Sequence, residues 1–491
     1  MTVRGQCQKA SRVILGMVPT ILVAGVAMGT GVLVAQQPPG QSQVTFARDI
    51  APILQRSCQN CHNSISGIAP MPLTTYEEVR PWARAIKLRT ARREMPPWYI
   101  EKNIGIQRFK DDISLSDEEI ARIATWVDAG AARGNPSDMP PPRQFLAVNA
   151  WSIGEPDLIL SSPVITVKAV GGDEHPFYVG SAPTGLTEDR WIESFEVREV
   201  RRDEKQRSAG RPGGGNNYFA VHHQLVTTVA PGEDAEQTEA DADEAARRTS
   251  NDQANRRLER GEFSYTYEVG QNGQRIPPDG TIALKAGSTL YFTGGHFHSI
   301  GKDVNVQVEV GFKFHPKGFT PKYPNRWRRT PNWGLGAELD IPGNTDNVTA
   351  HQSIVLQKPR KLVSFEPHLH AGGKRMCAEA YYPNGMRETL NCSGYNHAWV
   401  KSYVYEDDYA PLLPKGTIIH FIAWYDNTAK NARVVDPRNW RGMGQRSIDE
   451  MFLFLGKWVE YTDEEFAAEV AARKAKQAPN RLTTAAANNQ P

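Results

Sequence analysis

Residues Val304 to Phe314 read "VNVQVEVGFKF", with apolar and polar side chains taking turns along the run. Successive side chains of a strand point to opposite faces, so a period of two marks one face for a core and the other for water. The same habit returns in "DLILSSPVITVKA" (157–169) and "GTIALKAGSTLYFTGG" (280–295), with Gly, Pro and Asn between the runs. Short alternating runs separated by turn residues indicate antiparallel sandwiches. The chain's 41 glycines and 34 prolines suit many strands and turns better than a helical bundle.

At 491 residues the chain is too long for one core, and its length suggests about two to four domains. Lys and Arg (57) nearly balance Asp and Glu (55), for a net charge of +2, so nothing argues for nucleic acid or a strongly charged partner. Arg4, Lys9 and Arg12 precede an apolar run from Val13 to Ala35, and the polar "QQPPGQSQ" follows. This pattern predicts a signal peptide over 1–35, or an uncleaved N-terminal membrane anchor, since the run is long enough to span. Either way the remainder is expected to be periplasmic or extracytoplasmic.

"SCQNCHN" (57–63) carries Cys58, Cys61 and His62 in the Cys-x-x-Cys-His pattern of covalent haem c attachment, with His62 on the iron. A zinc site would want a second ligand pair nearby, and no further Cys occurs before Cys377. The segment resembles a small all-α cytochrome c. "VTFARDIAPILQRSC" reads as a helix delivering the motif, and "LSDEEIARIATWVDAG" opens with a capping box, Ser116 to Glu119, and sets Ile120, Ile123, Ala124 and Val127 on one face. The sixth iron ligand in that family is most often Met. Met95 in "REMPPW" is the preferred candidate, with Met71 and Met139 competing. One covalent haem per chain is expected, in a domain over 42–140.

Beyond a proline-rich joint the histidines come in pairs: His222 and His223 in "YFAVHHQLV", His296 and His298 in "GGHFHSIGKDV", His368 and His370 in "FEPHLHAGGKRM". Residues two apart on a strand share a face, whereas an adjacent pair needs a bulge or a strand end to do so. The order His-His, a strand histidine, His-x-His and then a late Met resembles the type II copper monooxygenases, the peptidylglycine hydroxylating and dopamine β-monooxygenase-like enzymes, over roughly Glu155 to Tyr461. The resemblance implies two coppers. One takes His222, His223 and His296; the other takes His368, His370 and Met451, the Met of "SIDEMFLFLGKWVEY", and would be the catalytic, oxygen-activating site. His298 has no role in that mapping. A thioether suits Cu(I) and is a poor ligand for Zn²⁺ or Mg²⁺, which favours a redox copper. The expected map is then a first copper β-sandwich over 150–330 with a charged insertion at 232–262, a second, jelly-roll-like one over 331–465, and a tail at 466–491.

Two departures bear on substrate. Where the peptide-processing enzymes place an arginine two residues before His-x-His, this chain has Glu366, and the polar residues after their ligand Met are replaced by Leu453 and Leu455. An apolar or weakly cationic small substrate is expected, with Glu366 as a solvated strand residue the plainer alternative. Those enzymes draw on ascorbate, whereas here the haem is expected to pass electrons to copper, O₂ being the oxidant and an electron-donor protein or quinol-linked chain the source. The rival function is a non-catalytic haem/copper electron-transfer subunit of a membrane-associated respiratory assembly. Cys377 and Cys392 flank the turn sequence "PNG", and either a hairpin disulfide or two separate thiols fits.

Overall fold

The computed structural model describes residues 43–147, 150–171, 174–202, 219–231, 263–271, 273–330 and 338–487, with backbone alone for Arg329 and for 477–487. The expected export segment and the charged insertion at 232–262 lie outside the described residues. Among the described residues no helix is long and apolar enough to cross a membrane. The chain is mostly antiparallel β-sheet with few helices.

Two sheets make up the first β-unit. One runs Leu158–Ser161, Val304–Phe314, Arg190–Arg201, Gln274–Arg275 in spatial order, and the other runs Tyr178–Pro183, Thr289–Phe297, Val221–Val229, Ser264–Glu268. All their neighbours pair antiparallel. The alternation at 304–314 has its expected meaning, since Val304, Val306, Val308, Val310, Phe312 and Phe314 are all buried. They share a core with Phe292, Val226 and Tyr265 of the facing sheet.

The second unit pairs Asp346–Val355, Ile418–Asp426, Gly373–Tyr381 and Arg387–Gly394 in one sheet. Its other sheet orders Trp327–Arg329, Lys457–Glu460, Arg360–Leu362 and Leu412–Leu413. Trp327–Arg329 therefore belongs to this second sheet, although the Trp327 ring packs on Phe195 and Phe263 of the first core. The change of sheet falls before residue 327. Cys377 and Cys392 are direct partners across the ladder and are disulfide-bonded, which decides between the two readings of that pair.

The N-terminal third of the described chain is helical at Phe46–Ile50, Ala51–Ser57, Tyr76–Val79, Ala83–Ala91 and Asp117–Asp128. Ser116 and Glu119 form the capping box. On the helix they open, Ile123 and Trp126 are buried, so the buried stripe is centred on a tryptophan that the aliphatic pattern passed over. Residues 98–110 do not stay with these helices. Trp98, Ile100 and Phe109 enter the second unit's core, with backbone bonds from Glu101 to Cys392, from Ile106 to Leu390 and from Lys110 to Val404. Gly105, at φ +64°, lets this run lie against the ladder, because a Cβ there would sit 2.0 Å from the Leu390 carbonyl oxygen.

Candidate metal and haem site

Eight histidines gather where the two β-units meet. His222 and His223 stand on the strand Val221–Val229, beside His296 on Thr289–Phe297, and the register between these strands shifts on both sides of His223. That irregularity allows adjacent histidines to reach one place, because an undisturbed strand would point them apart. The ring centroids of His222 and His296 are 4.9 Å apart, those of His223 and His296 5.1 Å, and those of His222 and His223 5.9 Å. Two imidazoles on one metal, with metal–nitrogen bonds of about 2.0–2.1 Å, have centroids roughly 4.5–5.5 Å apart for ligand angles of about 90–120°. The three rings stand close to that spacing. Among the described residues, however, no three His, Cys, Asp or Glu side chains form a finished metal-binding arrangement, so the rings are gathered without their nitrogens being converged.

The second set comes from the other unit. His368 pairs with Leu453 across a short antiparallel ladder, with His370 two residues beyond His368 and Met451 two residues before Leu453. Met451 is buried with Met443, Leu453 and Leu455. The rings of His368 and His370 lie 5.6 Å apart. His370 Nδ1 lies 3.2 Å from the Asp449 carbonyl oxygen, and His223 Nδ1 lies 3.1 Å from that of Gly294. Each contact fixes a ring through one nitrogen and leaves Nε2 for a ligand. His368 Nδ1 faces the carboxylate of Glu268, at 3.2 Å, from the first unit. His222 Nε2 is buried with no hydrogen-bond partner among the described residues. Burial, and then the neighbouring imidazoles, hold His222, His223 and His370 well below the ordinary histidine range. Such rings stay neutral, the form that binds metal.

Three members of the cluster escaped the pattern of pairs or were left without a role by it. His175 stacks on His296 at 4.1 Å. His298 is 5.6 Å from His222, and its Nε2 lies 3.0 Å from the Phe219 carbonyl oxygen, so it belongs to the cluster. His397, alone in "GYNHAW", is 4.5 Å from His222 and 5.2 Å from His370. Burial first, and then His368, push it down to about 3. A solitary loop histidine gives no spacing signal, and only the fold brings it here.

Behind this cluster lies a cleft with about 1110 Å³ of empty volume, counting its open mouth, lined by Cys58, Cys61, His62 and Met95. His62 Nδ1 lies 3.0 Å from the Met71 carbonyl oxygen, leaving Nε2 for a ligand. Burial pushes the Cys58 thiol up to about 12. Met71 packs against the helical core, and both Met95 and Met139 are exposed; of the three candidate methionines, Met95 lines the cleft. Its far wall is built from the β-units: Phe219 and Val269 from the first, Asn396, Ala398 and Trp399 from the second.

Glu366 is neither solvated nor open to a substrate. It is fully buried, ion-paired with Lys457 at 3.0 Å and hydrogen-bonded by Gln271 Nε2 at 2.7 Å. Its charge is met by Lys457 of its own unit, and the Gln271 bond ties it to the first, so it gives no ground for a cationic substrate. Glu450, just before Met451, accepts from the Gly372 amide at 2.7 Å and pairs with Arg441.

No family model matches the chain, and no curated protein matches it. Among solved structures, similarity is slight. PNGF-II has a TM-score of 0.23 at 10% identity, over 60% of this chain and 65% of that one. The T13 viral particle of IBDV gives 0.17 at 11%, over 63% and 72%. A Bacteroides ovatus protein described as a putative alpha-L-fucosidase gives 0.15 at 8%, over 66% and 41%.

Proposed function

We propose that this chain is an exported, haem c-containing copper monooxygenase that hydroxylates a C–H bond of an apolar small molecule with O₂. The observation that carries the reading is one loop, Tyr395–Val400, which puts His397 among the histidines of both β-units while Asn396, Ala398 and Trp399 wall the cleft of the Cys-x-x-Cys-His motif. A haem feeding a neighbouring copper pair would need such a shared wall.

The donor types, though not yet converged, suit the two groups. Cys58 and Cys61 would bond a haem, and His62 and Met95 would ligate its iron. His222, His223 and His296 would hold one copper, and His368, His370 and Met451 the other, the thioether suiting Cu(I). When bound, copper supplies the one-electron chemistry that activates dioxygen. The chain's own part is to keep His222, His223, His370 and His397 neutral by burial and to fix the tautomers of His223, His370 and His62 through backbone carbonyls. Glu268 sets a carboxylate 3.2 Å from His368 Nδ1, and Leu453 and Leu455 give the Met451 side an apolar surround. Hydroxylation consumes two electrons and two protons per O₂ (R–H + O₂ + 2e⁻ + 2H⁺ → R–OH + H₂O). One haem delivers electrons singly, so two redox coppers suit the stoichiometry.

The test is metal and haem analysis of the purified chain, followed by oxygen uptake with a reductant and a panel of apolar substrates, with products read by mass spectrometry. We expect covalent haem, copper, and substrate-dependent uptake with ¹⁸O from O₂ in an alcohol. Haem and copper with no substrate-dependent uptake would favour the electron-transfer subunit. Absence of copper from a chain loaded with it would end the proposal.

A further inference from the structure

Of the chain's 12 histidines, eight belong to the cluster and His62 to the Cys-x-x-Cys-His motif. Two of the remaining three, His351 and His420, meet on the outer face of the second unit's sheet that contains Gly373–Tyr381. His351, on Asp346–Val355, is opposite Ile422, and His420, on Ile418–Asp426, sits between Ser353 and Glu379. The two are diagonal neighbours on adjacent strands, within reach of each other's rings. The opposite face of the sheet carries Ala378, Ala380, Ile419 and Phe421 into the core. His351 Nδ1 lies 3.1 Å from His420 Nε2, and the ring centroids are 5.2 Å apart. Two nitrogens on one metal, with bonds of about 2.0–2.1 Å, stand roughly 2.8–3.6 Å apart for ligand angles of about 90–120°. We infer that His351 and His420 form an additional metal site, open to solvent, for a divalent transition metal of the imidazole-preferring class, Cu²⁺ or Zn²⁺. The inference depends on neither the haem nor the interior coppers.

The surroundings fix which nitrogens face each other bare. His420 Nδ1 lies 3.5 Å from Glu379 Oε2, and Glu379 is itself held in place, accepting from the Tyr381 hydroxyl at 3.0 Å and from Arg387 Nη2 at 2.6 Å. A carboxylate behind one ring nitrogen keeps the proton there and leaves the other nitrogen as a donor of its lone pair, the arrangement that supports metal-bound histidines. His420 Nε2 is therefore the free nitrogen of its ring. Without metal, His351 Nδ1–H donates to it. With the His351 proton on Nε2 instead, both facing nitrogens present lone pairs, and the metal takes the place of the shared proton without any redox change. Among the described residues the ring contacts of the pair are with each other and with Tyr381, so neither histidine belongs to the interior cluster. No third His, Cys, Asp or Glu completes the set among the described residues, so water fills the remaining positions and the metal exchanges readily. A chain charged with excess copper would then carry one exchangeable ion beyond those held inside.

The experiment uses the full chain as purified, freed of loosely held metal and labelled with diethylpyrocarbonate, which modifies imidazole nitrogens that carry a free lone pair. Peptide mass spectrometry reads the labelling of His351 and His420 separately, so the interior histidines do not enter the result. As zinc chloride is added to the wild type, we expect labelling of His351 and His420 to be lost together, with copper(II) sulfate acting at lower concentration, in line with the order of divalent affinities. Magnesium chloride, whose ion prefers oxygen ligands, should change nothing. His351→Ala should leave His420 labelled equally with and without zinc, and His420→Ala should do the same for His351. Glu379→Gln should raise the zinc concentration for half-protection about tenfold, the lower end of the effect of losing a carboxylate behind a metal-bound imidazole, because the 3.5 Å contact is long. Native circular dichroism reports that the variants fold. Zinc that alters the labelling of neither histidine in the wild type, or that protects His420 equally well in His351→Ala, would overturn the inference and leave the two rings as a hydrogen-bonded pair.

Discussion

Glu268→Gln is the substitution on which the reading of the site turns most sharply, because it should move two measurements in opposite directions. Glu268 belongs to the first unit and faces His368 Nδ1 of the second at 3.2 Å, with side chains 1% and 3% exposed. A carboxylate behind a metal-bound imidazole fixes its tautomer and raises its basicity, and losing such a partner lowers metal affinity by about 10–100-fold. At about 1.4 kcal/mol per tenfold, that is a loss of about 1.4–2.8 kcal/mol in copper binding. Full burial places the expected value toward the upper end, since water cannot replace the carboxylate. The metal-free protein should respond the other way. Glu268 Oε2 has no hydrogen-bond partner among the described residues, so the isosteric amide removes a poorly satisfied buried charge. The fold should be unharmed or gain about 1 kcal/mol. Cu(I) affinity is read by competition with a coloured chelator, and the copper-free fold by the midpoint of urea unfolding. Copper affinity within threefold of wild type, or a lower midpoint in the metal-free variant, would refute the argument that Glu268 serves the metal through His368.

Met95→Ala should keep haem attached through Cys58 and Cys61 but shift the reduced absorption spectrum toward the high-spin form; an unchanged spectrum would remove Met95 as the axial candidate. Gly270→Ala places a methyl group against Trp399 at a φ of +95° and should cost about 1–3 kcal/mol, seen as a lower thermal midpoint, with equal midpoints counting against the tight loop packing described here. Reduction of Cys377–Cys392, which closes a separation of 15 residues, should cost about 3 kcal/mol, read as a lower denaturant midpoint with reductant than without, and coincident curves would contradict it.

What the sequence determined by itself is what depends on near neighbours. The two-residue period at 304–314 specifies a strand with one face in a core, because pleat geometry is local. The capping box at Ser116–Glu119 is a matter of four consecutive residues. The histidine pairs and the Cys-x-x-Cys-His motif are legible because their spacing is short. Tertiary structure decided everything that joins distant parts. His397 and His175 carry no spacing signal, and they enter the cluster only because a loop and a strand end from different units fold against it. The sequence leaves Glu366 looking like a strand carboxylate open to water or substrate, yet Lys457, 91 residues away, and Gln271 of the other unit neutralise and bury it. Residues 98–110 follow directly on the helical segment, but Trp98 and Phe109 find their apolar partners, Tyr403 and Tyr405, in the second β-unit. Burying those aromatic rings together outweighs chain proximity. That packing sets the Cys-x-x-Cys-His cleft against the histidine loop, a proximity no local pattern encodes.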